Sequence, residues 1–346
     1  MAKRLSRLLL FGFVLLGIGG GYLLWQVDRW LDTPLALEAP LTYELAPGSN
    51  FIRVVNDLAR QGVVDRPRWL RWYGRLSGQA SRIKAGEYLF EPGVTPRGLL
   101  EAMVRGRVRQ HALTIIEGWN FRQLMAAVNA HPALRHTLQG LDDAAIMARI
   151  GHPGEHPEGR FLPDTYHFPR GMTDADFLAR AHAAMDRVLA EEWANRAPNL
   201  PLKTPYEALI LASIVEKETG LASERSAIAG VFIRRLEKGM RLQTDPTVIY
   251  GMGDAYRGNI RKQDLLTDTP YNTYRRAGLP PTPIAMPGRD AIHATLHPDD
   301  SDNLYFVSRG DGSHHFSATL EEHNRAVIKY QLKGRRKPFS SYNPGS

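Results

Sequence analysis

Thr204-Pro205-Tyr206-Glu207-Ala208-Leu209-Ile210-Leu211-Ala212-Ser213-Ile214-Val215-Glu216-Lys217-Glu218-Thr219-Gly220 is the most informative stretch of this 346-residue chain. It reads as one helix. Thr204 can cap it, Pro205 suits the first turn, and Glu207 completes a capping box. Gly220 fits a left-handed C-terminal cap. Between Ala208 and Val215 the only polar residue is Ser213, so most of the circumference is expected to be buried.

Two acids close this helix. At helical pitch Glu216 and Glu218 point about 160° apart, so they cannot share a face. Glu218 lies on the apolar side with Leu211 and Ile214, in the last turn, where the helix dipole is negative. Desolvation and the dipole both favour its protonated form. A carboxyl kept neutral near pH 7 can act as a general acid. A bland alternative is an exposed glutamate paired with Lys217 or Arg225. Spacing alone also leaves Glu216 and Glu224 as competitors.

Downstream, Ser223 is expected to cap a helix from Glu224 to Lys238, ended by Gly239, with Ile228, Val231 and Phe232 on its buried face. Three polar-aromatic segments follow: Arg241 to Gly251, Tyr271 to Tyr274 and Gly278 to Gly288. Rings beside amide and hydroxyl tips are the kind of surface that binds carbohydrate. A well-satisfied loop region would look the same. Upstream, Glu158 to Phe168 (EGRFLPDTYHF) is too aromatic and polar for a plain linker and reads as a site-lining or packed loop. Around it, His111 to Ile116 is strand-like, and Phe121 to Asn129 and Asp174 to Asn195 are helical.

A smaller α+β unit is expected over residues 41–110. Leu41 to Leu45 and Lys84 to Phe90 are strand-like. One helix carries Phe51, Val54, Val55 and Leu58 on one face, capped by Ser49 or Asn50. A second follows Asp65-Arg66-Pro67, and a third opens at Thr95-Pro96. Trp69, Trp72 and Tyr73 read as core, with a sugar-stacking platform as the alternative.

Leu8 to Trp25 is an uncharged run preceded by Lys3, Arg4 and Arg7. About 18 helical residues rise about 27 Å, close to a bilayer core. The expectation is a single transmembrane helix over residues 8–25 with its N-terminus (1–7) in the cytoplasm. The next residues lack a small-x-small cleavage pattern, which argues against a removed signal peptide. Residues 26–40 read as a linker, and the basic, then Ser/Pro/Gly-rich 334–346 as a flexible tail. Net charge is +8, which favours anionic partners. An exported chain nevertheless makes nucleic acid an unexpected one. With no cysteine, disulfides and cysteine chemistry are excluded.

Several motifs together resemble the endolytic murein transglycosylase, or YceG-like, family. They are S-I-V-E-K-E-T at Ser213 to Thr219, A-S-E-R at Ala222 to Arg225, and R-L-Q-T-D-P-T-V-I-Y-G-M-G at Arg241 to Gly253. Y-N-T-Y at Tyr271 to Tyr274, G-L-P-P at Gly278 to Pro281, L-Y-F-V at Leu304 to Val307 and E-G-x-F-x-P-D-T-Y at Glu158 to Tyr166 complete the set. The resemblance implies an α+β protein: a membrane anchor, a LysM-like module (41–110) and a mixed α+β catalytic domain (111–333). It places the catalytic role on Glu218. It implies cleavage of the MurNAc–GlcNAc bond by closure of the MurNAc 6-hydroxyl on C1, giving 1,6-anhydro ends. Gln243, Asp245, Tyr271, Asn272 and Tyr274 are the candidate substrate contacts or supports of Glu218. Asp245 is also the candidate second carboxylate, which would permit hydrolysis. The implied partners are peptidoglycan strands, the membrane, penicillin-binding proteins and the elongation or division machinery.

Two rival readings remain. One is a non-catalytic peptidoglycan-binding scaffold. The other is a metal hydrolase using His293, His297, His314, His315 and His323. The second lacks an H-E-x-x-H, and Asp299-Asp300-Ser301-Asp302 reads as a solvated turn, so neither metal nor cofactor is expected.

Overall fold

A computed structural model describes residues 2–332; the expected tail at 334–346 lies outside the described residues. The fold is mixed α+β, as expected. By internal contacts it divides into two units. The first runs through His111 and includes His167–Gly171, and the second comprises Ala112–Tyr166 and the chain from Met172 onward.

In the first unit, helix α1 (Ala2–Leu31) continues past the expected end at Trp25. Its stretch Leu10–Leu31 is long and apolar enough to cross a membrane, rising about 33 Å. Large apolar side chains from Leu10 to Trp25 are exposed, whereas Val27, Trp30, Leu31 and Leu35 are buried. Part of the expected linker is therefore core. Trp30 packs edge-on against Trp69, and its indole N–H donates to Asp65 (2.9 Å). Arg97 binds the carboxylates of Asp28 and Asp32 (2.7 Å each).

Strand β1 (Leu41–Leu45) is followed by α2 (Phe51–Arg60), α3 (Pro67–Leu76), β2 (Gly86–Phe90) and α4 (Pro96–Arg105). β1 and β2 pair antiparallel with Tyr43 opposite Tyr88. Asn50 caps α2 by accepting from Arg53 N, and Thr95 caps α4 by accepting from Gly98 N. Period-3.6 spacing puts Phe51, Val54, Val55 and Leu58 inward, and all four are buried. Trp69 and Tyr73 pack half-buried on the same core, while Trp72 is 44% exposed. The aromatic stripe thus splits between core and surface.

Strands β3 (Gln110–Thr114) and β4 (Thr165–Pro169) lie where the chain passes between units. The second unit contains α5 (Phe121–Ala130), α6 (Asp143–Arg149), α7 (Asp174–Ala194), α8 (Pro205–Glu218), α9 (Arg225–Glu237) and α10 (Asp245–Met252). α11 (Lys262–Leu266), α12 (Arg289–Leu296), the antiparallel hairpin β5 (Tyr305–Ser308) and β6 (His314–Ser317), and α13 (Leu320–Tyr330) complete it. α8 is the axis of this unit, packed against α7, α9 and α12. Every residue from Ala208 to Val215 is buried, as an apolar circumference demands. Ser213 is satisfied there: its hydroxyl donates to Ile210 O and accepts from Ile284 N.

Three helix boundaries of the second unit differ from expectation. At the start of α8 Thr204 caps by accepting from Glu207 N, but the Glu207 carboxylate accepts from Lys203 N and not from Thr204 N, so the capping box is not completed. α8 ends through Thr219 in extended backbone, and Gly220 does not take a positive φ. Ser223 does not cap α9. It lies inside a short 3-10 turn, Ala222–Glu224, that leads directly into the helix.

Candidate active site

The end of α8 sets the site. Glu218 keeps a small exposed fraction, yet protein encloses its carboxyl. Desolvation pushes its pKa up to about 7, and the neighbouring Asp245 adds to the rise; the Thr244 hydroxyl, His314 and Arg235 oppose it. At neutral pH such a carboxyl is populated both as acid and as base, as two-way proton transfer needs.

Thr244 is the direct partner: its hydroxyl donates to Glu218 Oε1. Thr244 is itself 2% exposed and held by a knot of hydroxyls. Its N–H donates to Thr273 Oγ1 (3.1 Å), and its carbonyl accepts from Thr247 Oγ1 (2.8 Å). The Thr247 and Thr273 hydroxyls are 2.9 Å apart. The buried Arg235 guanidinium donates to the carbonyl of Leu242 (2.7 Å), two residues before Thr244, and to that of Leu304 (2.7 Å), just before β5.

The sequence-selected residues separate into four placements. Asp245 and Tyr274 join the Glu218 cluster, and the Tyr274 hydroxyl donates to Asp245 Oδ1 (2.7 Å). Burial and that carboxylate push the Tyr274 phenol pKa up. Gln243 is exposed next to Thr244 and takes a left-handed φ of 53°, a conformation uncommon for a residue with a Cβ. Asn272 faces away from solvent: its side-chain amide donates to Asp264 O, Leu265 O and Thr267 O, and its oxygen accepts from Tyr274 N. Those bonds use its polar atoms to shape the loop. Tyr271 lies elsewhere, on the wall of a cavity of about 940 Å³ with Tyr250, Glu158, Lys217 and Pro246. Glu218 is not on that wall. Lys217 and Pro246, the chain neighbours of Glu218 and Asp245, line the cavity together with Ile249 and Tyr250 of α10.

The competing acids have other partners. The Glu216 carboxylate accepts from Gly288 N (2.9 Å). Glu224 accepts from His314 N (2.9 Å) and meets its Nδ1 (2.7 Å). Glu158 opens the loop that the sequence marks as site-lining or packed, but its carboxyl is not among the candidate acids. It is 3% exposed, and burial pushes its carboxyl pKa up to about 7.

The late histidines do not converge. His293 and His297 stack beside Glu192, His314 binds Glu224, His315 packs on Tyr330 and His323 on Tyr305. Glu192 already carries the Arg289 guanidinium (2.8 Å). A second cluster, His152, Glu155 and His182, has the Arg160 guanidinium on Glu155 (2.5 Å) and Asp186 (3.2 Å). In each cluster the glutamate pairs with an arginine.

An enclosed acid at the end of an apolar helix is a layout that acid/base chemistry can use. Residues 43–329 match the YceG-like family model, and the chain belongs to that family. A Bacillus subtilis (strain 168) protein named endolytic murein transglycosylase is 29% identical over 332 residues, spanning 90% of this chain and 91% of the relative. A Streptococcus pneumoniae (strain D39) protein of the same name is 28% identical over 364 residues, with 92% of this chain and 64% of that longer relative covered. The crystal structure of a YceG-like protein from Listeria monocytogenes superposes with a TM-score of 0.55 at 30% identity, covering 84% of this chain and 99% of that one.

Proposed function

We propose that this chain is a membrane-anchored endolytic murein transglycosylase that cuts MurNAc–GlcNAc bonds within peptidoglycan strands. The observation that carries the proposal is the enclosed Glu218 carboxyl with the Thr244 hydroxyl on it. The two relatives named for this activity support it.

In the mechanism, protonated Glu218 gives its proton to the glycosidic oxygen as the C1–O bond breaks and the GlcNAc hydroxyl leaves. The resulting carboxylate takes the proton of the MurNAc 6-hydroxyl while that oxygen bonds to C1. One carboxyl returns to its starting state, and the product end is 1,6-anhydro. An internal hydroxyl has an effective concentration far above that of a free reactant, so a second carboxylate to direct water is not required. Thr244 stabilises the transient Glu218 anion by a charge-assisted hydrogen bond. Asp245 holds Tyr274 and adds negative potential that keeps Glu218 protonated.

The N-terminal helix is the single-pass anchor, with the second unit on the outer side of the membrane. The β-α-α-β arrangement of the first unit supports a LysM-like, glycan-holding role. Cleavage of nascent strands beside penicillin-binding proteins would end their elongation. Glu218→Gln in the purified full chain should reduce glycan release on the order of 10²–10⁴-fold. A folded variant with undiminished release would remove the proposal.

A further inference from the structure

Glu158 is a buried carboxyl that this mechanism does not use, and its bonds lead to the Glu218 cluster. Both oxygens accept from Phe121 N at the start of α5 (3.1 and 3.2 Å). Oε2 also accepts from the Tyr250 hydroxyl (3.1 Å). Tyr250 lies on the last turns of α10. The other end of that helix starts at Asp245, directly after Thr244, the residue bonded to Glu218. The N-terminal end of α10 is tied by the Thr244, Thr247 and Thr273 hydroxyls, and the C-terminal end is tied by Glu158.

The seat of Glu158 is itself fixed. Gly159 follows it at a φ of +77°, so close to Pro283 that a Cβ would lie 2.5 Å from the proline Cβ. That proline precedes Ile284, whose N–H binds Ser213 on α8. The loop carrying Glu158 is therefore pressed against the segment that braces the catalytic helix.

We infer that Glu158 is a positioning residue for the Glu218 reaction: through the Tyr250 hydroxyl it fixes α10 and so holds Thr244 on the Glu218 carboxyl. The inference rests on Glu218 being the acid/base. A rigid helix transmits displacement from one end to the other, and a misplacement of about 1 Å can cost about 100-fold in rate. Ionised Glu158 accepts from Tyr250 and Phe121 more strongly than neutral Glu158 does. Burial raises its carboxyl pKa to about 7; the Phe121, Tyr250 and Gly159 donors lower it, and Asp143 from α6 adds a smaller rise. The Tyr206 phenol of α8 and the Tyr271 phenol beside Tyr250 are further titratable neighbours, His156 stands two residues earlier in the loop, and Lys217 of α8, Arg122 of α5 and Asp254 line the same cavity wall.

The test compares Glu158→Gln, Tyr250→Phe and their combination in the full chain on purified peptidoglycan, with folding checked by thermal melt. Each single variant is expected to lower kcat about 10- to 100-fold with KM within about 2-fold. The pair should be no worse than the poorer single variant, because both break one linkage. Glu158→Gln should also lose the acid limb of the kcat–pH profile, which in the parent reports loss of the Glu158 anion below about 7. Folded variants with parental kcat and an unchanged profile, alongside an inactive Glu218→Gln, would overturn the role of Glu158 and leave that of Glu218 intact. An active Glu218→Gln would overturn both.

Discussion

The Thr244 hydroxyl donates to Oε1 of Glu218 across 26 residues of chain. This bond stabilises the carboxylate and lowers its pKa, against the larger desolvation that raises it. The pair therefore settles near 7 rather than far above it, which lets one group both release and recover a proton.

Replacing Thr244 by Val keeps the buried shape and removes the donor. The expected result is a kcat loss of about 10- to 100-fold, the worth of one hydrogen bond to a charged group. The sign of the pH effect follows from the same bond. Without the donor the Glu218 pKa rises, so the alkaline limb of the kcat–pH profile moves to higher pH. A kcat–pH series on both proteins checks this.

Glu218 is expected to limit stability at neutral pH. Its folded pKa of about 7 exceeds its ordinary 4.5. The stability it contributes is therefore full below about 4.5 and is lost as pH rises through about 7. Glutamine cannot ionise. Glu218→Gln should match the parent near pH 4.5 and exceed it near pH 8 by about 1–3 kcal/mol, since each tenfold change in the ionisation equilibrium is worth about 1.4 kcal/mol. Thermal melts at the two pH values measure the difference. Equal gaps at both would contradict the burial of the carboxylate.

Gly159→Ala should be costly for two reasons. A φ of +77° disfavours any residue with a Cβ, and the new methyl would lie 2.5 Å from Pro283 Cβ and 3.3 Å from Ala285 O. A loss of about 1–3 kcal/mol is expected from overpacking alone. Urea unfolding monitored on the intact chain reads it as a lower midpoint. An unchanged midpoint would mean that this loop is not pressed against the α8 brace.

The parts that the sequence displayed are those governed by local periodicity. The apolar run from Ala208 to Val215 announced a buried helix, and the stripe Phe51, Val54, Val55 and Leu58 announced a second core. The 160° separation of Glu216 and Glu218, about what helical pitch gives for two residues, implied separate environments, and Glu216 does sit on the Gly288 amide. Other features depend on contacts between distant residues. The threonine knot joins Thr244 to Thr273 across 29 residues, and Glu158 meets Tyr250 across 92, so spacing carries no trace of either. α10 read as a polar-aromatic segment because a helix this short holds too few turns to show a face. Asn272 was a candidate for substrate contact or support of Glu218, and its amide closes a backbone loop through bonds that its spacing did not announce. Gly220 and Ser223 carried good cap chemistry, yet the chain leaves α8 in an extended conformation and enters α9 through a 3-10 turn.

The most direct test of one proton donor with internal ring closure is the chemistry of the newly made glycan ends. Purified full chain should be incubated with peptidoglycan and the released fragments weighed by mass spectrometry. Closure of the 6-hydroxyl on C1 predicts ends lighter than reducing MurNAc by one water, as 1,6-anhydro termini, and their loss in Glu218→Gln. Reducing ends as the main product would contradict it, because water, directed by a second carboxylate such as Asp245, would then be the nucleophile.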